Sequence, residues 1–404
     1  MTKVVVLDNG SFTVKVGVAG EKSPRYVGPN CTARLDRQLR VLVADDISSI
    51  RNQSLLKYTR PFERGQLTNV GCESEVWNHV FSRESIACDE STLLVSEAPL
   101  TPSSLAQSLD ELIFEEFQFA AACRCPSSCL AAVAAAASPT TETLGASHSS
   151  LPPETPLVVD CGYSCTHVSP VYGGELLVNS VRRHAFGGKA LTGYLRELAS
   201  YRQYNVMDET ALLDDVKHKL LFVSEDFDAD LRLCDDTDAK DGGPLCAEYE
   251  LPDYTSVPGG GGGRESLFGD ARGDPQATKN VLRVESERFA VPEILFSPRD
   301  VGCDQAGLAD LVIDAILASH PALRQPLASN VVLCGGTAKL PGLEARLYLE
   351  LRKGLPAYLD LNVRTLDEPD LAVFRGAALA ATLPNFIDHC TTREAYLESG
   401  GQRY

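Results

Sequence analysis

PLVVDCGYSCTH, residues 156–167, decides how the chain is to be read. The apolar run Pro156 to Val159 leads into Asp160, and Gly162 follows two positions later. A short apolar run bounded by a glycine turn reads as a buried strand. The carboxylate then stands at the strand's end, where the chain reverses. VVVLDNGS, residues 4–11, has the same form, with Asp8, Asn9, Gly10 and Ser11 at its turn. Thr13–Ala19 follows as the returning strand of a hairpin and carries Lys15.

Such a turn offers backbone N–H groups to an anion, and its carboxylate can hold the water shell of a divalent cation. Two of them in one chain read as two halves of a clamp on a nucleoside polyphosphate. A third turn, Gly335-Gly336-Thr337, follows the buried strand Asn330–Cys334 and suits a ribose and base. Each turn taken singly is no more than a turn; the three together, in this order, are specific. Tyr163 places a bulky ring in the second turn, where a phosphate needs room.

The 404 residues allow two domains or one bilobal unit. A formal charge of −18 disfavours a self-sufficient DNA binder, which needs a basic face. It suits basic partners or a place in a larger assembly, and equally plain solubility. No apolar run is long enough to span a membrane, and the first residues lack the apolar core of a signal peptide. The thirteen cysteines then read as reduced thiols. Cys123, Cys125 and Cys129 cluster, but the second Cys/His pair of a zinc site is missing, so small buried thiols are the better reading.

Helical spacing is predicted over Glu73–Arg83, Ser103–Phe117, Ser127–Ala137, from Gly187 onward, and over Asp214–Val223, Leu308–Ala318 and Leu371–Leu383. Ser103 or Ser104 is expected to cap the second of these. Residues 30–57 are polar and weakly patterned. Two irregular zones stand out: Ser/Thr/Pro-rich residues 138–156, and 235–280, which is acidic and carries Gly259–Gly263. The interleaving of strands and helices makes the class α/β.

On these turns the chain resembles the actin superfamily. SEAPL (96–100), FEEF (114–117), ERFAVPEILF (287–296) and CGGTAKLPGLEAR (334–346) look like actin as well. SYRQYNVMDET (200–210), GYSCTH (162–167), ARLDRQ (33–38) and ERFAVPEILFSP (287–298) resemble one nuclear branch, the actin-related protein six family. The resemblance implies a bilobal actin/hexokinase-like fold with a nucleotide cleft between two ribonuclease-H-like lobes. The first lobe would be 1–137, with 30–57 a divergent subdomain-two segment. The second would be 157–373, interrupted by the 235–280 insertion, and 374–404 would return to the first. ATP or ADP with magnesium would meet Asp8, Asn9, Gly10, Ser11, Lys15, Asp160, Gly162, Ser164, Lys217, Gly335, Gly336 and Thr337. Asp8 and Asp160 would reach the magnesium only through its bound water.

The resemblance further implies a non-catalytic subunit of Swr-type chromatin remodellers, which exchange a core histone for its variant. Its partners would be the motor subunit and a small zinc-containing co-subunit, with nucleosome contact mostly indirect. It would be nuclear and also cytoplasmic, without membrane, filament or sequence-specific nucleic-acid contacts. The alternative is a cytoskeletal-type actin-related protein that binds and weakly hydrolyses ATP.

Four reactive positions depart from actin. Phe12 replaces a glycine and crowds the terminal phosphate; Tyr163 replaces an aspartate. Ser127 falls where actin positions its attacking water with a glutamine, and His218 where it has a glutamate near the ribose. His167 is retained. Proton handling and water positioning contribute about 10²–10⁴ in rate, so hydrolysis should be weak or absent. Arg64 stands for actin's histidine under the phosphates, either as a structural substitute or as a surface residue. Residues 30–57 lack actin's filament loop and carry four arginines between Arg34 and Arg51, a contact site or a solvated loop.

Overall fold

The computed structural model describes residues 3–35, 41–50, 55–138, 155–202, 204–235, 244–251 and 280–399. Two six-stranded sheets organise it. The first runs in the spatial order Thr391–Thr392, Ala121–Pro126, Ser91–Glu97, Lys3–Asn9, Thr13–Val18, Tyr26–Pro29. Lys3–Asn9 is parallel to Ser91–Glu97 and antiparallel to Thr13–Val18, which sets Asp8 opposite Lys15. The second sheet repeats this plan. Leu157–Cys161 is parallel to Val331–Cys334 and antiparallel to Thr166–Tyr172, which sets Asp160 opposite His167.

Side-chain alternation fixes the layers. Val5 and Leu7 face a core of Trp77, Val80, Phe81, Leu112 and Ile113, whereas Val6 faces the opposite way. In the second sheet, Val159, Val331 and Leu333 face the helices Gly188–Arg202, Thr210–Leu220, Leu308–Ala318 and Leu343–Gly354. Val158, Val332 and Cys334 face inward. The two inner faces share one core, filled by the helices Ser127–Ala137 and Ala372–Ala380. Small residues let these helices cross closely: a Cβ on Gly376 would lie 1.7 Å from the Leu130 carbonyl oxygen. The loops after Asp8 and Asp160 therefore emerge from equivalent strand ends on either side of one helical layer.

Several boundaries differ from expectation. Pro102 precedes the helix Ser103–Glu111 and no side chain caps it, so neither serine plays that part. The helix passes into a wider π turn over Leu112–Glu116. The helix expected over 214–223 spans Thr210–Leu220; beyond it Phe222 and Val223 bond to the Arg288 and Pro341 carbonyls and so leave the helix. Residues 30–57 are not a solvated loop where described. Thr32–Leu35 pairs with Val41–Val43 and Leu56–Thr59, over Cys31, Ala33, Leu42, Ile47 and Leu56. Residues 36–40 and 51–54 of that basic segment lie outside the described residues, as do most of 138–156 and 235–280. All thirteen cysteines are unbridged.

Leu56→Ala should cost this small sheet about 2 kcal/mol. We expect amide hydrogen exchange of Thr32–Leu35 to accelerate while the large sheets stay protected. Unchanged exchange there would mean that the segment has no core of its own.

Candidate functional site

The two turns and the glycine turn at 335–337 meet around one cleft of about 290 Å³. All twelve residues expected at a nucleotide line it, as do the altered positions Phe12, Ser127, Tyr163 and His218. On the first side Lys15 Nζ lies 2.7 Å from Asp8, with both side chains buried. The Ser96 hydroxyl donates to the other Asp8 oxygen at 3.1 Å and accepts from the Asn9 N–H at 2.8 Å. A Cβ on Gly10 would stand 2.7 Å from the Thr13 carbonyl oxygen, so only glycine makes this turn.

On the second side Asp160 accepts from the Ser127 hydroxyl at 3.1 Å. Burial raises the Asp160 carboxyl above the usual range, the Ser127 bond opposes this, and nearby Asp8 adds to it. A cation would relieve two such neighbouring carboxylates, so the pair fits a magnesium held through water. His167 is pushed down to about 4, chiefly by burial and secondarily by Arg183, so its imidazole is neutral near pH 7. The Gly162 carbonyl accepts from the Gly188 N–H and the Thr337 hydroxyl, joining the second turn to the third. Gly335 has a φ of 88°, and a Cβ there would lie 2.4 Å from the Cys161 carbonyl oxygen.

Deeper along the cleft, buried Lys217 donates to Asp214, to the Thr192 hydroxyl at 3.0 Å and to the Gly188 carbonyl at 3.4 Å. Burial lowers its pKa, and Asp214 opposes the shift. His218 is half-exposed, with Nδ1 2.7 Å from the Asp214 carbonyl oxygen. Asp214 was not anticipated. It puts a carboxylate on the cleft wall beside His218. Its spacing of three and four residues from Lys217 and His218 on a helix was the available signal.

The reactive end differs most. The Phe12 and Tyr163 rings, one from each side, meet with centroids 4.6 Å apart and planes inclined 35°. Behind them the Arg60 guanidinium lies 4.6 Å from the Phe12 centroid and 4.9 Å from that of Tyr163. Its Nη1 donates to the carbonyls of Phe12 and Asn30 at 3.1 and 3.3 Å. Arg60 does not line the cleft. An aromatic pair adds about 0.5–1.5 kcal/mol and a cation–π contact about 0.5–2 kcal/mol. Sequence reading left Arg64 as either a structural substitute or a surface residue, and the structure favours the second. That side chain is exposed, outside the cleft lining, and its carbonyl accepts from Arg183 at 2.8 Å. Arg60 reaches the turns because it directly follows the strand Leu56–Thr59, whose pairing was not legible.

The residues thus fit a nucleotide with a hydrated cation, and the Phe12–Tyr163 contact lies between the two turns.

The actin family model matches residues 1–403. The chain is similar to actin-related protein 6 of Arabidopsis thaliana, 37% identical over 426 residues, covering 100% of this chain and 98% of that protein. It is 33% identical to actin-related protein 6 of Drosophila melanogaster over 403 residues, 99% and 98% of the two chains. The same-named protein of Dictyostelium discoideum is 30% identical over 456 residues, 98% and 92%.

Proposed function

The chain belongs to the actin family, within its actin-related protein 6 branch, and on that premise we propose that it is a non-catalytic subunit of a Swr-type chromatin remodeller. In this reading it scaffolds the motor subunit and a small zinc-containing co-subunit while the complex exchanges a core histone for its variant. The observation that carries the non-catalytic part is the Phe12–Tyr163 contact at the reactive end of the cleft. Ser127 adds to it, because its hydroxyl is engaged by Asp160. A nucleotide with magnesium supplies negative charge and a cation between the lobes; Asp8, Asp160, Lys15, Lys217 and the three turns would hold it. Bound only to the folded state at 100 times its Kd, it adds about 2.7 kcal/mol of stability. The net charge of −18 supports contact with nucleosomes through partners rather than directly with DNA. The protein would act in the nucleus, with a cytoplasmic pool, and would enter with its partners.

Single-turnover measurement on the purified chain should show ATP hydrolysis slower than that of conventional monomeric actin. A faster rate would overturn the non-catalytic assignment. Affinity capture with the purified chain should retain a recombinant motor-subunit insert together with the co-subunit. Failure to retain either one defeats the scaffold reading.

A further inference from the structure

The cleft lining restricts how long a phosphate chain it can take. Each of its lysines already faces a carboxylate: Lys15 with Asp8 at 2.7 Å, Lys339 with Asp370 at 2.7 Å, and Lys217 with Asp214. Asp160 adds a further carboxylate to the lining. No lysine among these lining residues is left over for an added phosphate, so each further negative charge must rely on a bound cation or on backbone N–H groups. The backbone donors at the tips of the two facing turns are the ones a terminal phosphate would need. Between those tips lie the Phe12 and Tyr163 rings, in contact across the cleft. The guanidinium of Arg60 lies behind the rings and donates to the backbone carbonyls of Phe12 and Asn30. A phosphate at this point would have to part the rings and remove Arg60 from their faces, and it would gain no lining cation in return.

We propose that the Phe12–Tyr163–Arg60 stack ends the phosphate site early, so that the cleft takes a nucleoside diphosphate with a divalent cation in preference to a triphosphate. The stack then does what a terminal phosphate would otherwise do: it joins the two turns across the cleft. The inference rests on the nucleotide reading of the cleft given above and adds the class of nucleotide and the residues that select it.

Titration calorimetry on the nucleotide-free full chain, with Mg·ADP and with the non-hydrolysable triphosphate Mg·AMP-PNP, tests it. We expect Mg·ADP to bind about tenfold tighter or more, which corresponds to ~1.4 kcal/mol. Phe12→Gly combined with Tyr163→Ala should bring the two affinities within about threefold of each other. Should that variant fail to fold, Phe12→Leu, which keeps bulk but loses the ring contact, should narrow the ratio part of the way. Equal affinities in the wild-type chain, or tighter binding of the triphosphate, would overturn the inference and leave the nucleotide reading standing. A ratio unmoved by the folded variants would overturn the role of the stack. Binding of neither nucleotide would overturn both the inference and the reading beneath it.

Discussion

Alanine at Gly376 lowers the stability of the folded chain by about 3 kcal/mol, and valine there prevents recovery of soluble protein. The added Cβ would lie 1.7 Å from the Leu130 carbonyl oxygen, 2.6 Å from its carbon and 3.2 Å from the Ala134 nitrogen. All three are backbone atoms of the facing helix, so no side chain can rotate away. The helices Ser127–Ala137 and Ala372–Ala380 would have to separate, loosening Ala131, Ala135, Phe374 and Ala377 at once. Alanine's better helix propensity, about 1 kcal/mol over glycine, acts in the other direction and is outweighed. Gly193, in the helix Gly188–Arg202, is the control: a Cβ there meets nothing within 4 Å, and Gly193→Ala should stabilise by about 0.5–1 kcal/mol. Denaturant titration of the two variants should give shifts of opposite sign. A neutral Gly376→Ala would show that the helices do not cross as described.

The second large effect depends on pH. Glu73 is fully buried beneath the first turn, and its Oε1 accepts from the Trp77 indole N–H at 2.9 Å and from Asn30 at 3.5 Å. Among the described residues its Oε2 has no partner. Burial pushes its carboxyl up to about 7, from 4.5 when unfolded. The folded state therefore holds a proton that the unfolded state releases. The stability this contributes is complete below pH 4.5 and is lost as pH rises through about 7. At 1.36 kcal/mol per pKa unit the loss by pH 8 is about 3 kcal/mol. Glu73→Gln keeps the oxygen that Trp77 uses and removes the titration. The variant should gain about 3 kcal/mol on the wild type between pH 4.5 and pH 8. His167 acts the other way: its pKa falls from 6.5 to about 4, so its contribution is present above 6.5 and lost on acidification towards 4. The difference between variant and wild type cancels that slope. A difference that stays flat from pH 5 to pH 8 would mean that Glu73 is ionised in the fold.

Legibility of the site followed the range of the signals. Asp8 and Asp160 could be located because short apolar runs and glycine turns are local features, and both ended at equivalent positions in their sheets. The third turn was found in the same way. Phe12 and Tyr163 were each seen to be out of place, but not that their rings touch, since 151 positions separate them and pairing across a cleft leaves no periodicity. Arg60 was missed for a related reason: its position depends on strands of three or four residues, too short for alternation to show. The serine cap failed because Pro102 already sets the helix entry, leaving no side-chain acceptor at that point. Arg34 is exposed on a strand whose neighbour Ala33 is buried, so one part of the basic run belongs to a small core.

The shared helical layer also bears on the order in which the molecule can form. Val6 and Leu94 belong to strands made early in synthesis, yet the core that covers them includes Phe374, Ala377 and Ala378. Val158 and Val332 of the second sheet depend on the same residues. A ribosome delivering residues in order would thus present two sheets whose inner apolar faces are covered only in part, by the helix Ser127–Ala137, until the helix Ala372–Ala380 emerges and fills the rest of the space between them. Neither lobe can finish folding as it is made, and both wait for one late segment to complete them.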